Sequence, residues 1–484
     1  MSTTPDPLLD WPNDRPDYAD FAAAVPGESA RWHVPGFSAA ILRDGEVTTA
    51  ATGVTNLDHP APITPETRFQ VGSISKVFTA TTAMRLVEQG KLDLDAPIIG
   101  LIPDLPLAHE PLRDSITLRH LLNHTTGFEG DVFPDNGPGN DALERAVAEF
   151  GKLRVWAMPG EVFTYCNSGF YLAGRSIEIA AGTHYEDAVK GLVLEPAGLE
   201  QTSFPSPDLV TVPTASGHAM KSREAGYHVY RPWALPRTVN AAGGVVSTVT
   251  DLLRFAAMHM NDGRIDGEAV LTADSARQMR NRTSKSGVLD TGYGIGWNIR
   301  EVGGATLIGH GGATNGFRAQ LTIVPDRDFA IAMLSNGDAG SMAIASIERW
   351  ALEHLLDIDT SGRQEIAADA DELHAVAGEY HRHDARILIW RVDNHLHIEG
   401  HTVEHDDQFS VERSEDDPPT VMEAWPTGES VYKVRSGANR DALIEFFDAE
   451  LVGKGTTAVM RSGGRLAERV GDAPTGGPAA RPER

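Results

Sequence analysis

Apolar and polar positions along the chain change period in a definite order. From Val34 to Gly53 two β-type runs flank Arg43-Asp44-Gly45, a turn sequence that predicts a hairpin. Residues 73–89 carry Val77, Phe78, Leu86 and Val87 as an apolar stripe, with Gly90 as a stop, and this predicts a helix. From about 95 to 240 the pattern is mostly helical, interrupted by long loops rich in Gly, Pro and Asp. The glycine pair at 243–244 leads into a further helix through Thr250–Met258. The stretch 290–335 turns strongly β, with short strands predicted at 293–297, 305–308, 318–324 and 329–334, and a helix over about 341–357 follows. Strands, then helices, then strands and a closing helix imply an α/β sandwich with an inserted helical domain.

Composition shifts around Asp359–Arg363. Beyond it, β runs recur roughly every ten residues, at 386–392, 395–399, 408–412, 420–425, 430–436, 442–448 and 455–460. That spacing predicts a small antiparallel barrel or sandwich. The chain is therefore divided into a first unit at 1–360, a β domain at 361–462 and a Gly-, Pro- and Arg-rich tail at 463–484 expected to be disordered. Residues 5–32 read as a lead-in with a short helix.

The formal net charge is −26. A phosphate-binding surface needs Lys and Arg in excess, so nucleic acid is excluded as a partner, and an anionic membrane surface is disfavoured. The acidity is spread along the chain: 24 acidic and 14 basic residues lie between Ser361 and Arg484, which leaves much of the excess to the first unit. Cys166 is the one cysteine, so no intrachain disulfide forms. The start, Met1-Ser-Thr-Thr-Pro-Asp, has neither a basic nor an apolar region of a secretory leader, and no run of about 18 apolar residues occurs. A cytoplasmic location is the expectation.

Three segments carry the chemistry. Ser73-Ile-Ser-Lys76 opens a predicted helix, where i and i+3 share a face. A serine hydroxyl is a poor nucleophile until a base takes its proton, and a desolvated lysine is such a base. Tyr165-Cys-Asn167 lies in a stretch read as extended, which points Tyr165 and Asn167 to one side and Cys166 to the other. A tyrosine beside a cation can exist partly as phenolate and shuttle a proton. Asn167 is a candidate to hold the lysine and a substrate carbonyl. Gly309-His310-Gly-Gly312-Ala313 enters a strand whose glycines admit a substrate backbone at close range, and His310 adds a proton donor or acceptor. Each segment alone has an ordinary structural reading: a helix that happens to contain Ser-x-x-Lys, a buried tyrosine, a glycine-rich turn.

Together the segments resemble the pattern of class C β-lactamases, DD-peptidases and β-lactamase-like esterases. Their separations, 92 and 145 residues, are similar to that family's. So are Leu121-Leu-Asn-His-Thr-Thr-Gly127, Leu194–Leu199, Ala242–Thr248 and Tyr293-Gly-Ile-Gly-Trp297, and the resemblance covers about 30–350. It implies a β-lactamase-like α/β fold and an acyl-enzyme on Ser73. It also implies Lys76 and Tyr165 as base and proton relay, and an oxyanion hole from the backbone N–H groups of Ser73 and Ala313. The C-terminal β domain is similar to the lipocalin-like barrel of some peptidase relatives. One departure stands out: β-lactamases and DD-peptidases carry Lys where this chain has His310, which puts recognition of a substrate carboxylate in doubt.

The reading is a serine hydrolase of small esters or amides that uses no cofactor. Its partners are small ester, amide or short peptide substrates, with homo-oligomerisation left open. A D-amino-acid-specific peptidase, a weak β-lactamase and a non-catalytic ligand-binding scaffold remain as alternatives. No Gly-x-Ser-x-Gly elbow is present. Cys166 reads as structural. His395 and His397 share one strand face, but no set of partners at metal-ligand spacing completes them, so a solvated polar face is expected and no metal.

Overall fold

The computed structural model describes residues 16–222, 226–285, 291–403, 419–435, 442–475 and 477. Its first part is built on an eight-stranded antiparallel sheet. In chain order the strands are β1 (Gly36–Arg43), β2 (Glu46–Gly53), β3 (Ser284–Lys285), β4 (Thr291–Tyr293), β5 (Asn298–Val302), β6 (Ala305–Thr314), β7 (Phe317–Val324) and β8 (Phe329–Ser335). Across the sheet they run β2-β1-β8-β7-β6-β5-β4-β3. The chain's first hairpin thus pairs with its last sheet strand, with Phe37 opposite Ser335.

The period of two in these strands sends alternate residues into two cores. Phe37, Ala39, Ile41, Ile331 and Met333 face helices α1 (Phe21–Arg31) and α5 (Gly340–Leu356). Ala40, Ala330, Ala332 and Leu334 face the helical insertion, which lies between the first hairpin and β3. A strand covered on both faces reads as an unbroken apolar run, and all seven residues of β8 are buried.

Within the insertion, α2 (Ser75–Glu88) runs through the middle of the core, with eleven of its fourteen residues buried. Its threonines survive there because each returns its hydroxyl to a carbonyl one turn back: Thr79 to Ser75, Thr81 to Val77 and Thr82 to Phe78, at 2.8–3.1 Å. Gly90 adopts φ +67° just past the end, as the stop residue should. The predicted helices near 250 and 341–357 appear as α4 (Val249–Met260) and α5. The strand predicted at 293–297 differs: β4 ends at Tyr293, and Gly296 turns the chain at φ +79° before β5 begins. A glycine in the left-handed region breaks the pleat there.

The second part is a closed eight-stranded antiparallel barrel, β9 (Gly378–Arg382), β10 (Ala385–Val392), β11 (His395–Thr402), β12 (Thr420–Gly428), β13 (Val431–Val434), β14 (Leu443–Leu451), β15 (Gly455–Ser462) and β16 (Arg465–Gly471). Ile389, Leu396, Ile398, Tyr432, Val434, Phe446, Met460 and Ala467 fill its interior, joined by Leu373 and Val376 from α6 (Ala370–Val376). The run expected at 408–412 lies outside the described residues. The tail expected from 463 is corrected in part. Residues 465–471 are the eighth strand, because Ala467 completes the interior while Leu466 and Glu468 face the first unit. Gly463 and Gly464, at φ +57° and +78°, form the β15–β16 turn rather than a linker.

The barrel meets the first unit closely. Trp156 packs among Ala449, Leu451, Val459 and Leu466. Its carbonyl accepts from Val452 N at 2.9 Å. Arg154 stacks on the Trp156 ring at 3.7 Å and pairs with Glu468.

Candidate active site

Ser73 sits on a single 3-10 turn, Gly72–Ile74, that feeds directly into α2. Gly72 has φ +54°, and an added Cβ would stand 2.6 Å from Ala313 N. Only glycine fits that backbone and that contact together. On the facing strand β6, a Cβ on Gly312 would stand 1.9 Å from Val71 O and 3.2 Å from Ser73 N. These two glycines let the Gly72–Ile74 turn and the strand edge approach backbone to backbone, with the N–H groups of Ser73 and Ala313 on neighbouring segments.

Lys76, one turn along α2, is fully buried. Its Nζ lies 3.1 Å from Ser73 Oγ and 2.7 Å from Ala242 O. Burial, reinforced by the positive charge of Arg465, holds its pKa well below the usual lysine value. Tyr165 hydrogen-bonds to Ser73 from the other side, and Lys76 Nζ is 4.9 Å from the centre of its ring. Burial pushes the phenol pKa up, which favours the protonated hydroxyl over a partial phenolate, while the Ser73 hydrogen bond works in the opposite direction.

Asn167 is not where an extended stretch would put it. It is the first residue of α3 (Asn167–Ala181), and its amide donates to Asp131 Oδ1 at 2.9 Å. Cys166 caps that helix: its sulfur accepts from Gly169 N at 3.2 Å, and burial raises its pKa to about 12. It is an inert structural thiol. His310 lies on β6 with its ring 6.2 Å from that of Tyr165. Its Nδ1 is 2.6 Å from Gly311 O, which fixes that nitrogen as the N–H. Burial and the neighbouring Lys76 lower its pKa to about 3, so the imidazole is neutral throughout the physiological range.

Three further residues belong to this cluster. His124, inside the Leu121–Gly127 segment, accepts from Thr164 N through its carbonyl and from Cys166 N through Nδ1, both at 3.0 Å. Its ring lies 4.3 Å from that of Tyr165, so it fixes the tyrosine's loop from below. Asp131 accepts from Asn167 and pairs with Arg465 through both carboxylate oxygens. Arg465 comes from the start of β16, and its Cζ lies 4.9 Å from the centre of the Tyr165 ring. Beside it, Gly464 O accepts from Tyr165 N at 2.8 Å. The histidine could have been suspected from its segment. Asp131 and Arg465 carry no local signal, being 334 residues apart.

A groove of about 1190 Å³ opens behind the 240–243 turn, with Leu235, Arg237, Asn240, Glu186 and Phe204 among its walls. Leu235 also flanks Gly243, next to the Lys76 contact at Ala242. In the barrel, His395 stacks on Trp425, and His397, buried at 7% exposure, pairs with Glu399. That face is more covered than the solvated one expected. Among the described residues no helix is long and apolar enough to cross a membrane.

"Penicillin-binding protein 4" of Amycolatopsis lactamdurans is 32% identical over 71% of this chain and 91% of its own length. The crystal structure of SurE superposes with a TM-score of 0.72 at 26% identity, covering 93% of this chain and 98% of SurE, and SurE has also been solved with D-Leu. A class C β-lactamase shares the fold, with a TM-score of 0.58 at 22% identity over 68% of this chain and 94% of its own. The Beta-lactamase family model matches residues 21–355, and the chain belongs to that family, the serine β-lactamase and penicillin-binding-protein-like hydrolases.

Proposed function

We propose that this protein is a serine hydrolase that forms an acyl-enzyme on Ser73. The observation that carries the reading is a fully buried Lys76 whose Nζ stands 3.1 Å from Ser73 Oγ. Desolvation lowers the amine's pKa, so it can take the Ser73 proton as Oγ bonds to the substrate carbonyl carbon. The backbone N–H groups of Ser73 and Ala313 receive the developing oxyanion. The neutral Tyr165 hydroxyl then gives its proton to the leaving alcohol or amine and takes in exchange the proton that Lys76 received from Ser73. Water attacks the ester by the same route in reverse.

The substrate class we favour is a small uncharged ester or amide. His310 is neutral, and Arg465 and Arg382 are already engaged with Asp131 and Asp384. A second reading, hydrolysis of peptides or amides of D-amino acids, is favoured by the likeness to SurE, whose structure has been solved with D-Leu. The name of the 32%-identical relative adds acylation by penicillin as a third arm to test.

The deciding measurement is intact-mass spectrometry after exposure to esters, D-amino-acid amides and a penicillin, for wild type and Ser73→Ala. An adduct on wild type alone supports the reading. Turnover by Ser73→Ala at near-normal rates, or a wild type inert to every class and to a fluorophosphonate, would return the chain to the scaffold alternative.

A further inference from the structure

We propose that Arg465, carried by the C-terminal barrel, is a positioning residue of the hydrolase centre that supplies the fixed positive charge its own third motif lacks. The inference rests on the Ser73 reading above.

The geometry is specific. The β15–β16 turn reaches into the first unit at one place, where Gly464 O takes the Tyr165 N–H and Arg465 stacks against the Tyr165 ring. Lys76 Nζ and Arg465 Cζ each lie 4.9 Å from the centre of that ring, so they are no more than about 10 Å apart. At that range, inside protein, two charges are poorly screened. The guanidinium is oriented by both oxygens of Asp131, and Asp131 in turn holds the amide of Asn167 at the start of α3. A lysine in place of Arg465 could not make the same two-pronged contact.

The charge matters because of what else faces Lys76. His124 and His310 are both neutral through burial, Tyr165 and Tyr293 are held protonated by burial, and so is Cys166. Asp131 alone among the described neighbours carries a negative charge, which favours protonated Lys76. Arg465 opposes it and is the stronger of the two influences. Arg382 and Asp384, at the β9–β10 turn, act on Asp131 and Arg465 respectively rather than on the lysine. With β6 offering only a neutral imidazole, the cation that adds to burial in lowering the Lys76 pKa comes from the barrel.

The signs for substitution follow. Removing Arg465 lets Lys76 hold its proton to higher pH, so the acid limb of kcat/KM moves up. Removing the Asp131 charge moves the same limb down. A purely structural loosening would lower rates in both variants without opposite displacement.

The experiment is the pH profile of ester turnover by the full chain, for wild type, Arg465→Met, Arg465→Lys and Asp131→Asn. Circular dichroism and a fluorophosphonate titration would count folded, competent enzyme. The expected result is a kcat lower by about ten- to a hundredfold in Arg465→Met, the cost of a misplaced relay, with KM little changed. The acid limb should rise in Arg465→Met, be largely restored by Arg465→Lys and fall in Asp131→Asn. An unchanged limb in Arg465→Met with Ser73-dependent turnover intact would overturn the role of Arg465 alone. So would a rise in KM confined to substrates bearing a carboxylate, which would make Arg465 a substrate contact. Should Arg465→Met fail to fold, the Asp131→Asn and Arg465→Lys displacements decide. A wild type without Ser73-dependent turnover removes the hydrolase reading, and the Arg465 role with it.

Discussion

The sharpest test of the nucleophile turn is a methyl group. Gly311 and Gly312 are adjacent on β6, yet the structure gives them different tolerances. In Gly312→Ala the new Cβ would lie 1.9 Å from Val71 O, a backbone atom that no rotamer change can clear. An ordinary carbon–oxygen contact needs about 3.4 Å, so the strand and the Gly72–Ile74 turn must part by about 1–1.5 Å. Displacement of that size costs roughly a hundredfold when it separates reacting groups, and losing one oxyanion donor costs about 10²–10³ in kcat. The two effects share one cause and should not be multiplied, so the expectation is about 10²–10³. Overpacking adds about 1–3 kcal/mol of destabilisation, too little to unfold a domain of ordinary stability. In Gly311→Ala the nearest atom is Gln320 Oε1 at 3.1 Å, the end of a flexible side chain that can swing away. The assay is the second-order rate of fluorophosphonate labelling, with thermal melting in parallel. Gly312→Ala that labels within a few-fold of wild type, or Gly311→Ala that is equally slow, would refute the close-approach argument.

Other outcomes follow from the same geometry. Lys76→Met should abolish turnover while raising the melting temperature. Burial holds Lys76 below its unfolded pKa, so the unfolded chain binds more protons, and the gain should grow as pH falls below the lysine range. His310→Lys should shift preference at pH 7 toward substrates bearing a carboxylate, by about ten- to a hundredfold for a charged hydrogen bond worth roughly 1.5–3 kcal/mol. Wild-type preference within a matched pair should stay flat from pH 5.5 to 8.5, because His310 does not protonate until about pH 3. Cys166→Ser should leave the labelling rate unchanged, and a large loss would reopen a role for the thiol. We propose the division near residue 360 as the unit boundary, so residues 1–360 should fold alone. They should label slowly, however, for want of Gly464 and Arg465, and equal rates in the short and full chains would count against the docked turn.

The parts of the site that could be read from the sequence are those set by local spacing. Ser73 and Lys76 are one helical turn apart, and His310-Gly-Gly312 lies within a strand, so residue order alone places them. Asn167 was misplaced because an extended stretch and a helix start look alike over three residues; the cap formed by Cys166 decides between them. The 293–297 segment has strand-like residues, and only the left-handed Gly296 reveals the turn. Arg465 was hidden twice over. Its segment has the composition of a tail, and its partner Asp131 lies 334 residues earlier, inside the other domain. Charge pairing at such separation leaves no periodic trace. The upward push on the Tyr165 phenol is also illegible in sequence, since it depends on how completely other elements cover the ring.

The pairing of β1 with β8 sets a schedule for synthesis. Phe37 through Arg43 find their partners about 290 residues later in the chain. At roughly 5–20 residues per second a ribosome needs about 15–60 s to reach them. Through that interval the hairpin Gly36–Gly53 is without its second neighbour, and the edge of β1 that will receive β8 is open along a run, Phe37-Ser-Ala-Ala-Ile-Leu42, that is almost wholly apolar. Such an edge is a template for pairing with other nascent chains. Substitutions on β1 should therefore show first in the yield of soluble protein, and in its dependence on chaperones and growth temperature, before they show in the melting of the finished molecule.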